Sequence, residues 1–347
     1  MEKILKRVAN QICWTALWQI MKLRKKACII ATAWVMLLTM PSARPQESIS
    51  DNPFGIMLPS QTAASPRGMQ VARELGVAFV RPGGILISKG RNAACDAALQ
   101  AGFDLVLTVR NSDSAGLPSK VVTDLATYQA DLGKILDIYH PEMLVVENEE
   151  NAARFYSGTP EDYATQLRAA CEVAHQKGIP CTNGGLASTL VALIVCDDYL
   201  QKGETDKAHS FAARTFGLEQ QPRSASAQEQ IRKGKSLLRI YKDTGIDYVN
   251  FHWYFADTAA LREAVVFLKN QTGLPALTNE IGQRIDNPNQ TTAVMREIVE
   301  LGLPIAVWYG RDGSRARGLM ESDGTLRPTG EAFKRFIQDL SSSQSNQ

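Results

Sequence analysis

The chain has 347 residues, 44% hydrophobic and 21% charged, with a formal net charge of +2. That balance excludes a disordered or fibrous chain and allows one large domain or two ordinary ones. The charge is lopsided: residues 1–43 carry seven Lys/Arg and one Glu, which leaves 31 basic and 35 acidic residues over 44–347. The body is therefore mildly acidic, and no nucleic-acid footprint is expected.

Residues 1–43 read as a targeting leader. Lys22, Arg24, Lys25 and Lys26 form a basic region, an apolar run covers 27–40, and Ser42-Ala43 supplies small residues for cleavage. The run is short for a membrane span, which needs about 20 residues. The expectation is an exported protein, periplasmic or extracellular, touching a membrane only through this leader if it stays uncleaved. Met21 offers a translation start just before the basic region. Export permits disulfides. Cys95, Cys171, Cys181 and Cys196 allow three pairings, with buried thiols or one structural bridge as the simplest outcomes. No CxxC, HExxH or His cluster occurs, so neither a metal site nor another cofactor is expected.

From residue 54 onward, short apolar runs alternate with amphipathic stretches. Strands are predicted over 54–58, 77–81, 105–109, 143–148, 180–184, 248–254, 276–280 and 304–309. Several are nearly continuous in Val, Ile, Leu and aromatics, which suits a parallel sheet covered on both faces. Helices are predicted over 67–75, 92–100, 123–139, 161–177, 228–243, 258–271, 290–301 and 329–340. Several of them stop at a Gly, the residue that adopts the left-handed stop without steric cost. Thr159 and Pro160 form a helix-start signal.

Eight strands each followed by a helix predict an α/β fold, a single (β/α)8 TIM barrel over 44–347. A doubly wound open sheet is the alternative, but Gly83-Gly84 and Gly184-Gly185 do not match its dinucleotide fingerprint. The fifth connection is long, from 187 to about 228. It is expected to be an extended loop that walls part of the cleft.

Reactive groups of a barrel lie at the C-terminal ends of its strands. In order, those ends carry Arg81; Arg110-Asn111; Glu147-Asn148-Glu149-Glu150-Asn151; Thr182-Asn183; His252-Trp253-Tyr254; Thr278-Asn279-Glu280; and Trp308-Tyr309. Carboxylates, amides, Arg and aromatics suit sugar recognition and acid/base chemistry. No Lys lies within a predicted strand, which disfavours a Schiff-base aldolase. Trp253 alternates with His252 and Tyr254 and is expected to face the outer helices.

These ends resemble those of clan A glycoside hydrolases, retaining β-glycosidases and endoglycanases on a (β/α)8 fold. Asn148-Glu149-Glu150-Asn151 resembles the Asn-Glu-Pro-Asn run whose Glu is the acid/base. Thr278-Asn279-Glu280-Ile281-Gly282 resembles the Thr-Glu-x-Gly region whose Glu is the nucleophile. His252-Trp253-Tyr254 resembles a His-x-Tyr motif, and Trp308 and Arg81 match an aromatic and an Arg of that pattern. Two positions depart from it: Glu150 stands where Pro is usual, and Asn279 separates Thr278 from Glu280.

The resemblance implies a retaining hydrolase of a β-linked oligo- or polysaccharide, with Glu280 as nucleophile and Glu149 as acid/base. Glu147 and Glu150 compete with Glu149 for that role. Burial and nearby negative charge are expected to raise the Glu149 pKa. Arg81 and Tyr254 would stabilise ionised Glu280, Asn148 would bind a sugar 2-hydroxyl, and Trp308 would floor the reacting sugar. His252 would position the carboxylates, and Arg110 and Asn183 complete the substrate-binding candidates. The alternative function is a secreted barrel that binds carbohydrate without cleaving it.

Overall fold

The computed structural model describes residues 52–344, apart from 59–61, 63, 113–115, 217–220 and 311–316. The leader expected over 1–43 lies outside them. The predicted strands form β1 (Phe54–Met57), β2 (Phe79–Arg81), β4 (Asp104–Arg110), β5 (Met143–Val146), β6 (Cys181–Asn183), β7 (Val249–Trp253), β8 (Ala276–Ile281) and β9 (Ala306–Tyr309). A two-residue strand, β3 (Ile85–Leu86), adds to the edge of β4 and was not foreseen.

All pairings of these strands are parallel, in the order β6-β5-β4-β2-β1-β9-β8-β7. Bridges Thr182↔Tyr248 and Leu186↔Phe251 bring the two ends together. Side chains reinforce that seam: Asn183 Oδ1 accepts from the Asn250 N–H at 2.7 Å, and Asn250 Nδ2 donates to the Asn183 carbonyl at 2.9 Å. The result is a nearly closed (β/α)8 barrel.

Strand alternation sorts the apolar residues into two cores. Phe79, Val106, Met143, Val145, Leu277, Ile305 and Val307 fill the barrel. Their neighbours, such as Leu105, Leu107, Leu144 and Trp308, pack outward against the helices. That layer comprises α1 (Pro66–Leu75), α2 (Ala93–Gln100), α3 (Leu125–Tyr139), α4 (Pro160–Gln176), α5 (Ser188–Gln201), α6 (Thr205–Thr215), α7 (Ala225–Tyr241), α8 (Thr258–Thr272), α9 (Pro288–Glu300) and α10 (Pro328–Gln344). The start signal at Thr159 is a full capping box: its hydroxyl accepts from the Asp162 N–H, and Asp162 accepts from the Thr159 N–H.

The segment expected to be an extended loop over 187–228 is mostly helical. Residues 190–196 of α5 are buried on every side. A helix wrapped by neighbours shows no polar stripe, so its sequence lacks the helical period. Together α5 and α6 thicken the helical layer against α7, α8 and β7, which corrects the expectation of an extended loop. Among the described residues one disulfide, Cys171–Cys181, ties α4 to β6 with its Cα atoms 5.3 Å apart, and Cys95 and Cys196 are buried thiols. Among the described residues no helix is long and apolar enough to cross a membrane.

Candidate active site

The site forms where β2, β4, β5, β7 and β8 end. On β7 the pleat aims Asn250, His252 and Tyr254 to one side. Phe251, Trp253 and Phe255 meet edge to face on the other, with centroids 6.4 and 5.0 Å apart. Trp253 thus lies in the outer layer, as its alternation implied.

On β8 the register slips. Asn250 pairs with Leu277 and His252 with Glu280, so three steps on β8 match two on β7. The same slip recurs against β9. This is a β-bulge, which re-aims side chains next to the irregularity. Asn279, the apparent intruder between Thr278 and Glu280, takes up the slip. Its Oδ1 lies 3.1 Å from His252 Nε2, while Glu280 still reaches the cluster.

After β5 the backbone turns sharply. Glu147 and Glu149 adopt φ of +68° and +42°, uncommon for residues with a side chain and a conformation that must be held by surrounding contacts. The turn sorts the three neighbouring carboxyls. Glu147 is sealed from solvent, and its Oε1 accepts from the Asn111 N–H and Gln166 Nε2 at 2.7 and 2.6 Å. Glu150 is sealed on the other side, accepting from Asn183 Nδ2 and the Tyr241 hydroxyl. Burial raises the pKa of both. Only Glu149 turns into the barrel mouth.

There Glu149 Oε1 lies 3.1 Å from His252 Nδ1, and Glu280 Oε1 lies 3.8 Å from the same nitrogen. Glu280 Oε2 accepts from Arg81 at 2.7 Å, and its Oε1 accepts from the Tyr254 hydroxyl at 2.9 Å. Arg81 is itself buried. It also donates to Asn148 Oδ1 at 2.7 Å, to the Asn279 carbonyl at 3.1 Å and to the Thr108 hydroxyl at 3.3 Å. Arg154 donates to Glu149 Oε2 at 3.1 Å from the solvent side.

Close packing leaves no slack beneath the cluster. Gly185 sits at φ +94°, and a Cβ there would come 2.3 Å from His252 Nε2. Gly184 is similarly confined, its virtual Cβ 2.6 Å from Glu150 Oε2. The Gly-Gly pair therefore makes room for the site.

The two carboxyls are electrostatically unequal. Burial opposes ionisation of Glu280, but the His252 and Arg81 charges and the bonds from Arg81 and Tyr254 outweigh it and hold its pKa at about 2. For Glu149 burial and the Glu280 charge push upward, yet the His252 hydrogen bond and charge, with Arg154, bring the net shift downward. This corrects the expected rise. The His252 ring is fully buried, which disfavours its cation, but the Glu280 and Glu149 charges win and raise its pKa. The two shifts run in opposite directions, so His252 is the more basic partner of this contact.

Glu149, His252 and Glu280 present oxygen and nitrogen atoms within 4.8 Å of one another. Their carboxyls are already engaged by cations of the chain itself, Glu280 by the Arg81 guanidinium and Glu149 by Arg154.

The other candidates lie as follows. Asn148 joins the cluster through Arg81. Asn183 is fully buried in the seam and braces Glu150. Trp308 is 1% exposed, donates its indole N–H to Gln283 Oε1 at 2.9 Å and packs on Phe333. The expectation that it floors the sugar is corrected by strand alternation: Val307 fills the barrel, so Trp308 points outward and Tyr309 inward. The Tyr309 ring meets Tyr254 edge to face at 5.8 Å. Arg110 stands beside the cluster without touching it. Sequence reasoning missed the parts of Asn279, Thr108, Tyr241 and Arg154. For Thr108 the signal was available, since it shares a strand face with Arg110.

No known family profile matches the chain, and no curated protein does. Solved structures do resemble it. An exo-β-1,3-glucanase of GH128 subgroup VI from Aureobasidium namibiae aligns at TM-score 0.51 and 9% identity, covering 82% of this chain and 96% of that one. A GH128 subgroup II endo-β-1,3-glucanase from Sorangium cellulosum aligns at 0.50 and 14%, covering 81% and 97%. A point mutant of a subgroup I endo-β-1,3-glucanase from Amycolatopsis mediterranei, complexed with laminaritriose and laminaribiose, aligns at 0.50 and 13%, covering 81% and 98%. The likeness is one of fold.

Proposed function

We propose that the protein is a retaining glycoside hydrolase acting on a β-linked oligo- or polysaccharide, with Glu280 as nucleophile and Glu149 as acid/base. One observation carries this reading: carboxyls from opposite sides of the barrel, on β8 and after β5, converge on a single His252 nitrogen at 3.1 and 3.8 Å. Double displacement needs two carboxyls close enough to flank one glycosidic bond, about 5–5.5 Å apart.

Glu280, ionised because Arg81 and Tyr254 hold its charge, attacks the anomeric carbon. The bond to the leaving oxygen breaks as Glu149 delivers a proton to that oxygen. The sugar is then esterified to Glu280. Glu149, now a carboxylate, takes a proton from water; the resulting oxygen nucleophile displaces Glu280, and product and enzyme are restored. His252 holds the proton that Glu149 must begin with. It passes across the 3.1 Å contact once substrate occupies the mouth. Asn148, its Oδ1 held by Arg81, presents its amide N–H groups to the reacting sugar.

The structural neighbours named as β-1,3-glucanases make laminari-oligosaccharides the first substrates to try. The test is hydrolysis by the wild type, Glu149→Gln and Glu280→Gln, with the anomer of the first product followed by NMR. Both variants are expected to lose at least about a thousandfold in kcat, and the product to retain its configuration. Wild-type turnover in either variant, or inversion, overturns the assignment.

A further inference from the structure

Arg110 closes β4 on the inward face, two residues beyond Thr108, whose hydroxyl receives Arg81 Nε. A Cβ built on Gly84 would lie 3.4 Å from Arg110 Nε and 3.5 Å from the Thr108 methyl. The guanidinium thus stands on the same wall as Arg81, nearer the opening. It is partly buried, yet among the described residues no carboxylate comes within ion-pair distance of it. The acidic group that feels its charge is Glu147, whose Oε1 is already engaged by Asn111 and Gln166. A guanidinium cannot shed its proton to relieve burial, and an unpaired buried charge is costly. After the neighbouring strand β5 comes a second cation: Arg154 is 74% exposed, lies over the Phe155 ring at 4.4 Å and pairs with Glu149 at 3.1 Å.

We propose that Arg110 is a specificity determinant that receives an anionic substituent, a uronic-acid carboxylate or a sulfate ester, on a sugar of the glycan in the cleft. This rests on the hydrolase reading and narrows its substrate class to acidic glycans. The planar fork of Arg matches a carboxylate or sulfate with two parallel N–H···O bonds.

The experiment compares wild type, Arg110→Ala and Arg110→Lys on three β-linked oligosaccharides of equal length: neutral, uronic-acid-containing and sulfated. It reads kcat and KM for cleavage, and calorimetric binding of the same sugars. Expected is a wild-type preference for an acidic substrate, whichever of the two anions fits. The acidic-to-neutral ratio of kcat/KM should fall at least tenfold in Arg110→Ala, mainly through KM, with partial recovery in Arg110→Lys. Wild-type KM for the acidic sugar should also rise with salt, a readout that needs no variant. Cleavage of the neutral sugar without acidic preference, or an unchanged ratio in Arg110→Ala, overturns the inference and leaves the hydrolase reading intact. Arg110-dependent binding of an acidic sugar that the wild type never cleaves does the reverse.

Discussion

The charge balance at Glu280 has a consequence for folding that can be measured without a substrate. Its pKa falls from 4.5 to about 2 in the folded protein, at a side chain only 13% exposed. A carboxyl whose folded pKa is depressed stabilises the protein fully above its unfolded value. That contribution drains away as pH falls through the folded one. The gap is worth about 3 kcal/mol. Glu280→Gln keeps the shape and removes the charge. It also leaves Arg81, 3% exposed, without its anionic partner. At pH 7 the variant is therefore expected to be less stable by about 3 kcal/mol, and the deficit should shrink between pH 4.5 and pH 2, where wild-type Glu280 is itself becoming neutral.

The opposing force is repulsion from Glu149, which by itself would make the amide stabilising, as replacing a strained catalytic group often does. Equilibrium urea unfolding followed by Trp fluorescence, with the disulfide intact, measures the difference at each pH through the midpoint at constant m. A Gln variant as stable as the wild type at pH 7, or a deficit that does not narrow on acidification, would mean that Arg81 and His252 do not outweigh burial and repulsion. The account of the ionised nucleophile would then fail.

Two further outcomes follow from single contacts. In His252→Gln, burial and the Glu280 charge act on Glu149 with only Arg154 against them, so its carboxyl is expected to titrate above its ordinary range instead of below; carboxyl-labelled NMR titration reads the sign directly. The Cys171–Cys181 bridge closes a short loop, a sequence separation of 10, for which chain entropy gives about 3 kcal/mol. Reduction, or Cys171→Ser, should lower the melting temperature, and an unchanged melt would show that the packing of α4 on β6 alone sets the stability there.

The barrel was legible because its strands are apolar enough to be covered on both faces and its helices end at Gly or begin at caps. What stayed hidden was whatever lacked a period. Residues 190–196 of α5 are buried all round, so they carry no amphipathic stripe to distinguish helix from strand or loop. Within the site, the order of Arg81, Glu149, His252, Tyr254 and Glu280 along the chain was enough to bring them to one mouth. The facing of individual side chains was not, because it depends on pleat register. Trp308 was assigned inward although Val307 beside it is the residue that fills the barrel. Burial and neighbouring acidic residues point the Glu149 pKa upward from the sequence, whereas the His252 contact on β7 that turns it downward depends on the fold.

The two departures from the clan A pattern have local physical explanations. Asn279 occupies the extra step of a bulge, and the bulge lets Asn279 grip His252 while Glu280 meets Arg81 and Tyr254. Without the slip, adjacent residues would point to opposite faces, and one of these contacts would be lost. Glu150 takes the place of a residue that would have stiffened the turn. It achieves the same end with polar bonds to Asn183 and Tyr241, which also fasten the turn to the seam between β6 and β7. The left-handed backbone at Glu147 and Glu149 costs roughly 1–3 kcal/mol per residue, and the sealed Glu147 and Glu150 side chains anchor the turn on either side of Glu149. Three carboxyls within four residues can therefore share one turn while a single one is exposed to the reacting centre.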